Sequence, residues 1–189
     1  MNINLASKRV AFLFTDGVEQ IELLEPVNAI RAAGGEAVLV SPRQGGVQMM
    51  DHDQIAGLIT TDVAVGEADP ENFDALILPG GVANPDRLRT DPPSVAFVQA
   101  FFAAADKPVG AICHGPWMLA EADVARGRTM TSWPSLRTDL RNAGATWVDK
   151  EVCVDGPLIT SRKPADLPAF CASVMTQIAE ARGRHPIAL

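Results

Sequence analysis

A cysteine and a histidine stand side by side in the segment KPVGAICHGPWML, residues 107–119, where a hydrophobic run ends. The run 108–113 is typical of a buried strand, and the residues from Gly115 onward have helical spacing. A cysteine in the tight turn between a strand and a helix has the placement of a nucleophile elbow, which exposes the sulfur. The amides and the dipole at the start of the following helix favour the thiolate over the thiol. The alternative is that Cys113 is a small core residue at the end of a strand.

A nucleophile in this position would also need hydrogen-bond donors for the negative charge that develops on a substrate oxygen. The backbone N–H of His114 is the first candidate, because it directly follows the cysteine. The PGG sequence at 79–81 ends another hydrophobic run. It can supply a second N–H, since glycine lets the backbone approach a ligand closely.

An acidic residue, Glu19, opens the first predicted helix directly after the sequence TDGV. On spacing alone, it is an acidic residue in the first helical turn that matches the helix dipole. Topology offers an alternative. In a mostly parallel sheet flanked by helices, the first strand often lies near the centre, and Glu19 at the end of that strand could then reach Cys113. A carboxylic acid kept neutral there could donate a hydrogen bond to the thiolate.

Two further histidines lack such a context. His52 lies in the polar turn MMDHDQ and His185 in the polar tail RGRHPIAL, so we expect both to be solvated. A metal site needs several ligands brought together, and only the DHD sequence at 51–53 offers even a weak suggestion of one. We therefore predict no metal and no cofactor.

The three tryptophans and the two cysteines other than Cys113 indicate a functional role less clearly than Cys113 and His114 do. Trp117 and Trp133 follow the elbow and the TS sequence, so either could line the site or an interface. Packing in the core is the alternative for Trp117 and Trp147. Cys153 and Cys171 fall on a predicted strand and a predicted helix and are interpreted as core residues.

Strands and helices alternate along the chain. The predicted strands are 9–15, 36–41, 74–81, 108–113 and 129–132. The predicted helices are 19–35, 92–105, 115–125, 135–145 and 165–182, the last with a bend near Pro168. Hairpins are predicted within 42–66 and over 147–161, and the second turns at Asp155-Gly156. The strands that alternate with helices are apolar throughout, as strands covered on both faces are. This predicts a single domain, 1–189, of the three-layer α/β/α sandwich class with a mostly parallel sheet. Such sheets bind ligands at the carboxyl ends of their strands, where Asp16-Gly17, Gly80-Gly81 and Cys113 all lie.

Composition excludes several classes of protein. The net charge of −7 argues against a nucleic-acid-binding protein, which usually carries a basic stripe. No run of 18 or more apolar residues exists, so we predict no membrane contact. Three cysteines without a C-x-x-C spacing argue against a disulfide scaffold and fit a reducing, cytoplasmic compartment.

Several longer motifs resemble those of one family. The segment AICHGPWMLAEADVARGRTMTSWPSLRTDLRNAGATWVDKEV, followed by LITSRKPADLPAF, is similar to the ThiJ/PfpI family, and more to its intracellular protease I-like branch than to the branch of the parkinsonism-associated deglycase. The similarity runs from VAFLFTDGVEQIELLEP to the last helix. It implies a flavodoxin-like fold, related to that of class I glutamine amidotransferases, with a nucleophile elbow.

The resemblance implies a role for each matching residue. Cys113 would be the nucleophile, Glu19 the acidic residue beside its sulfur, and His114 the histidine that follows the nucleophile in the PfpI branch. Gly81 and the His114 amide would form the oxyanion hole, with Gly80 supporting the turn.

The family also places an acidic residue of a neighbouring subunit shortly after the PGG sequence. Asp86 is the best match in PGGVANPDRLR, although the family protease has Glu and the loop here is one residue longer. The resemblance therefore implies at least a homodimer, with the active site near the interface.

Three functions are compatible with this family. The first is a stress-response enzyme that acts through Cys113 on reactive small carbonyls or early glycation adducts, in the manner of a glyoxalase or deglycase. The second is an intracellular cysteine peptidase, and the third a non-catalytic protein that senses peroxide by oxidation of Cys113. A glutamine amidotransferase would need a downstream H-x-E pattern, and the only later histidine is His185.

Overall fold

A computed structural model describes residues 3–104 and 106–181. A seven-stranded sheet runs through the middle of these residues, with the strand order β11-β12-β8-β7-β1-β3-β6. Its strands are β1 (Arg9–Leu13), β3 (Glu36–Ser41), β6 (Val63–Ala64), β7 (Ala75–Leu78), β8 (Val109–Ile112), β11 (Val152–Asp155) and β12 (Leu158–Ser161). Two smaller sheets are formed by β2 (Val18–Glu19), β4 (Gly46–Asp51) and β5 (Gln54–Thr60), and by β9 (Thr129–Met130) and β10 (Thr146–Trp147).

The central sheet is parallel except at one edge, as predicted. β1 pairs in parallel with both β3 and β7, β7 with β8, and β8 with β12, whereas β11 pairs antiparallel with β12. β1, β7 and β8 are therefore neighbours, and their carboxyl ends lie side by side at the same end of the sheet. The predicted convergence of Asp16-Gly17, Gly80-Gly81 and Cys113 at such ends is confirmed.

Helices cover both faces of the sheet, which confirms the three-layer α/β/α class. The helices are α1 (Gln20–Ala32), α2 (Ala83–Leu88), α3 (Pro92–Ala103), α4 (Trp117–Glu121), α5 (Arg137–Asn142) and α6 (Leu167–Glu180). Alternate residues of the buried strands enter two separate cores. Phe12 packs with α1 and α6 on one face, while Leu13 packs with α3, α4 and α5 on the other. Both faces of these strands are covered, so their sequences are apolar throughout.

The structure differs from the sequence-based expectations in local detail. The helix predicted over 115–125 is shorter, at Trp117–Glu121, and α2 was not predicted. The hairpin predicted over 147–161 is confined to β11 and β12, since β10 pairs with β9 instead. Pro168 lies in the first turn of α6, where a proline needs no bend because no helical N–H is lost there.

The remaining expectations concern single residues and the membrane. Some residues of the predicted helix ends and of the polar tail lie outside the described residues, namely Ala105, Arg182 and His185. The three cysteines are free. No helix in the described part of the chain combines the length and the apolar character needed to cross a membrane.

Candidate active site

Cys113 lies directly after β8, in a sharp turn that leads to α4. Its φ is +62°, a left-handed conformation that costs a non-glycine residue on the order of 1–3 kcal/mol. The turn is held because the Cys113 N–H donates to the Ser161 carbonyl (3.0 Å) and its carbonyl accepts from the Trp133 N–H (2.8 Å). A side chain at Gly115 would collide with the Leu78 carbonyl, so the turn also needs glycine there. This strained backbone is the local geometry predicted for a nucleophile elbow.

The backbone amides of Gly81 and His114 interact with the Cys113 sulfur and act to lower its pKa. Gly81 has φ +82°, and a Cβ on it would collide with the Gly17 carbonyl, so only glycine allows this approach. These are the two amides that the sequence suggested for an oxyanion hole. The structure places both of them at the sulfur.

The PGG loop is held in place by Asn84, a residue that sequence reasoning missed. The fully buried Asn84 side chain accepts the Thr15 N–H (2.7 Å) and donates to the carbonyls of Pro79 (2.9 Å) and Gly80 (3.0 Å). It therefore ties the end of β1 to the loop that presents the Gly81 amide. The available signal was an amide residue three positions after the glycine pair in PGGVAN, but α2, which carries it, was not predicted.

The acidic residue at the sulfur is Glu22, which corrects the expectation of Glu19. The Glu22 side chain is fully buried and interacts with the Cys113 thiol, while its Oε2 accepts the Gly80 N–H at 3.1 Å. Its Oε1 has no hydrogen-bond partner within the described residues. The reason is that α1 begins at Gln20, so position 22 on its first turn, not the β2 residue Glu19, faces the elbow.

The electrostatics of this buried pair differ from the expected activated thiolate. Burial raises the pKa of the Glu22 carboxyl to about 8, so it holds its proton at neutral pH. Burial also raises the pKa of the Cys113 thiol, and the negative charge of an ionised Glu22 raises it further. The Gly81 and His114 amides act in the opposite direction but are weaker. The sequence-based expectation of a depressed pKa for the Cys113 thiol is therefore wrong.

Glu19 lies in the same pocket but serves a different contact. Its carboxylate accepts the backbone N–H of His52 at 3.1 and 3.3 Å, which brings the tip of the β4–β5 hairpin to the site. Burial raises the pKa of Glu19. His52, expected to be only a solvated loop residue, has an exposed side chain and also lines the pocket.

His114 contacts the sulfur directly. Its Nδ1 lies 3.3 Å from Cys113 Sγ, and its Nε2 lies 3.4 Å from Ser135 Oγ. The imidazole stacks on Trp133, with ring centroids 5.9 Å apart and an interplanar angle of 24°. Burial lowers the pKa of His114, so the ring is neutral near pH 7 and can accept a proton from the thiol.

Asp86 does not belong to this set within one chain. It is exposed on α2 and does not line the pocket. The role of Asp86 toward a neighbouring subunit stays a prediction.

The site opens into a cavity of about 380 Å³. Its polar wall includes Glu19, Glu22, His52, Asp53 and His114 around Cys113, and its apolar wall includes Met50, Val82, Trp133 and Pro164. Trp133 thus lines the site, as one interpretation proposed. Trp117 donates to Asp139 (2.8 Å) and Trp147 to Ser132 (2.9 Å), and both pack against the buried core.

One grouping in the described residues has the composition of a metal site. Ligand atoms of Glu19, Asp51 and His52 lie within 4.8 Å of one another. His52 Nδ1 is already hydrogen-bonded to Asp51 Oδ1 at 2.8 Å, and Glu19 accepts the His52 N–H. These groups satisfy one another, so we assign no metal to them.

Comparison with known proteins gives consistent results. The sequence pattern of the DJ-1/PfpI family matches residues 8–177. Protein/nucleic acid deglycase 2 of Escherichia coli is 43% identical over 165 residues, which are 87% of this chain and 94% of that protein. The putative cysteine protease YraA of Bacillus subtilis is 42% identical over 164 residues, again 87% of this chain and 94% of the relative.

Among solved structures, a two-domain protein from Anabaena variabilis superposes with a TM-score of 0.85 and 36% identity. That protein contains DJ-1/ThiJ/PfpI-like and ferritin-like domains. The match covers 90% of this chain and 48% of the other, so this chain spans about half of that two-domain protein.

Proposed function

The chain belongs to the DJ-1/PfpI family, and from that premise we propose that it is a deglycase-type enzyme that acts through Cys113 on reactive small carbonyls or early glycation adducts. The observation that carries the proposal is the strained Cys113 with two amides and a neutral histidine at its sulfur, open to a cavity of about 380 Å³. A cavity of this size admits a small dicarbonyl or the modified end of a side chain.

Each group around the sulfur has a place in such a reaction. The His114 imidazole, 3.3 Å from Sγ, accepts the thiol proton as the sulfur attacks an aldehyde carbon. The developing oxyanion is stabilised by the amides of Gly81 and His114. Glu22, protonated at neutral pH, adds no negative charge next to the attacking sulfur. Transfer of the proton to His114 offsets the raised pKa of the thiol, because the thiolate forms only as attack begins.

The peptidase alternative rests on the contact between Cys113 and His114, which is a nucleophile–base pair. A protease-type triad would also need an acidic residue to orient His114, and within one chain the Nε2 partner is Ser135. The exposed Asp86 could supply that residue only from a second copy, so a homodimer is part of this alternative. A peroxide sensor that depends on a low thiol pKa is disfavoured by the raised pKa of Cys113.

The proposal is tested by lactate formation from methylglyoxal in wild type, Cys113→Ser and Cys171→Ser. We expect Cys113→Ser to lose at least about 10³-fold in kcat, because a hydroxyl is a far weaker nucleophile in this site. Cys171 is a free cysteine on α6 that does not line the cavity, so Cys171→Ser should keep wild-type activity. Full activity in Cys113→Ser would overturn the proposal.

A further inference from the structure

The hairpin of β4 and β5 brings a second histidine to the same cavity. We infer that His52, oriented by Asp51, is the acid–base residue that moves a proton between the two carbonyl carbons of a dicarbonyl substrate bound to Cys113. This inference rests on the function proposed above. It assigns a catalytic role to a residue that the sequence indicates only as a solvated turn.

The hairpin tip is held in a specific and strained position. His52 has φ +58°, which costs a non-glycine residue on the order of 1–3 kcal/mol. Its backbone N–H donates to both oxygens of Glu19, at 3.1 and 3.3 Å. A turn that only reversed the chain could use glycine without this strain. The contact with Glu19 instead anchors the tip to the residue that precedes α1, the helix that carries Glu22.

The imidazole of His52 is oriented as a base. Nδ1 lies 2.8 Å from Asp51 Oδ1, and a carboxylate accepts, so Nδ1 carries the hydrogen and Nε2 the lone pair. Asp51 is the sole hydrogen-bond partner of this ring in the described residues, which leaves Nε2 available to a substrate. The side chain is 79% exposed, so its proton exchanges readily with water.

The charges that face His52 suit this role. Asp51 accepts its hydrogen bond, and the carboxylates of Glu19, Asp51 and Asp53 favour the imidazolium; together they raise the pKa of His52 above its ordinary value of 6.5. An imidazole can both take and return a proton, which the proposed transfer between two carbons requires.

Three other titratable groups of the cavity make contacts of their own. His114 contacts Cys113 through Nδ1 and Ser135 through Nε2. Glu22 is fully buried beside the sulfur and accepts from Gly80. Glu19 accepts the His52 N–H. Of the two imidazoles that line the cavity, His52 is therefore the one whose Nε2 has no hydrogen-bond partner in the described residues.

The chemical step balances without an added oxidant or reductant. Cys113 adds to the aldehyde carbon of methylglyoxal and forms a hemithioacetal, and His52 Nε2 then removes the C–H proton from that carbon to leave an enediolate. The imidazolium returns the proton to the adjacent carbon, and the hydroxyl proton on the former aldehyde oxygen passes to the former ketone oxygen. The product is a lactoyl thioester of Cys113. Water hydrolyses the thioester, which releases lactate and restores the thiol.

The experiment measures lactate formation, its pH profile and iodoacetamide alkylation of Cys113 in wild type and His52→Asn. Asparagine tolerates positive φ better than other residues, so the hairpin tip is preserved. We expect kcat to fall by about 10²-fold or more with KM nearly unchanged. Alkylation of Cys113 should stay within about threefold of wild type, since the variant leaves the elbow intact. The part of the acid limb of the kcat profile that reports protonation of His52 should disappear.

Two further variants complete the design. Asp51→Asn removes the charge that favours the imidazolium, so the acid limb should move to lower pH while activity is partly kept. Leu58→Ala changes an exposed hairpin residue that does not line the cavity, and wild-type kinetics are expected.

The outcomes separate the two proposals. If wild type forms lactate and His52→Asn keeps kcat and its acid limb, the role of His52 is overturned and the function of Cys113 stands. If wild type forms no lactate, the proposed function is overturned, and the role of His52 with it.

Discussion

Polar residues have opposite surroundings at the two ends of the strands of the central sheet, which we call the amino edge and the carboxyl edge. At the amino edge, Arg9 pairs with Glu36 at 2.8 Å, and the two side chains are 42% and 57% exposed. The Arg9 N–H donates to Asp74 at 2.8 Å, and the nearby cleft of about 450 Å³ contains no cysteine or histidine. At the carboxyl edge, Glu22 is fully buried and Cys113 has a left-handed backbone.

This difference shows where the fold contains energetically unfavourable groups. Partly exposed ion pairs contribute on the order of 0–1 kcal/mol, so the pair at the amino edge adds little stability. A buried carboxyl and a strained cysteine are unfavourable, and they persist only because surrounding groups hold them. The network around Asn84 does so at the carboxyl edge. The reactive edge is thus the one with buried polar groups and backbone strain.

The largest effect is expected for Asn84→Ala. The change leaves the Thr15 N–H and the Pro79 carbonyl without their buried partner, while the Gly80 carbonyl keeps the bond from the Glu19 N–H at 3.3 Å. Each such loss costs on the order of 1–3 kcal/mol, and relaxation reduces the sum, so we expect about 3 kcal/mol less free energy of unfolding. Activity should also fall, because the loop that presents the Gly81 amide loosens. Denaturant unfolding and kcat measure the two effects.

Asn72→Ala is the matched control at the amino edge, where the side chain is exposed. We expect a change within about 0.5 kcal/mol and unaltered kinetics. Equal destabilisation by the two substitutions would show that the edges do not differ in the way described.

The second prediction concerns the pH dependence of Glu22→Gln. The pKa of Glu22 is about 8 in the folded protein, against an ordinary value of 4.5. The unfolded chain therefore loses this proton first, and the free energy of unfolding falls as the pH rises from 4.5 to about 8. Glutamine has no proton to lose, so Glu22→Gln should not show this decrease, which is on the order of a few kcal/mol.

The same substitution should change the thiol. An ionised Glu22 raises the pKa of Cys113, so Glu22→Gln lowers it, and iodoacetamide alkylation at pH 9 should become faster than in wild type. Glu25→Gln, an exposed position on the same helix, serves as the control and should leave the pH dependence of stability and the alkylation of Cys113, followed by peptide mass, unchanged. Slower alkylation of Glu22→Gln at pH 9 would contradict the assigned electrostatics.

Much of the fold was accessible from the sequence, because burial on both faces leaves a direct pattern. The apolar runs that contain β1, β7 and β8 predicted a parallel sheet, and the turn residues after them predicted where the site lies. Cys113, His114 and the PGG loop were found because the residue types and the strand ends coincide.

The acidic partner of the sulfur could not be chosen in the same way. Glu19 and Glu22 are three residues apart, and helical spacing alone places both near one face. The choice depends on where α1 begins, and helix ends are poorly defined by sequence. The strained turn at His52 and the clamp by Asn84 arise from contacts distant in sequence, at separations of 33 and 69 residues. Sequence patterns within a single helix or strand do not reveal such contacts.

The smallest effect is expected for Arg9→Ala at the amino edge. The substitution removes the 2.8 Å pair with Glu36 and the contact of the guanidinium with the Phe73 ring at 5.2 Å. The backbone N–H of residue 9 still donates to Asp74, so the strand end stays paired. We expect a loss of less than about 1 kcal/mol, which shrinks further in 1 M salt because exposed charges are screened. A loss as large as that of Asn84→Ala would mean that the exposed pair holds the sheet as firmly as the buried clamp does.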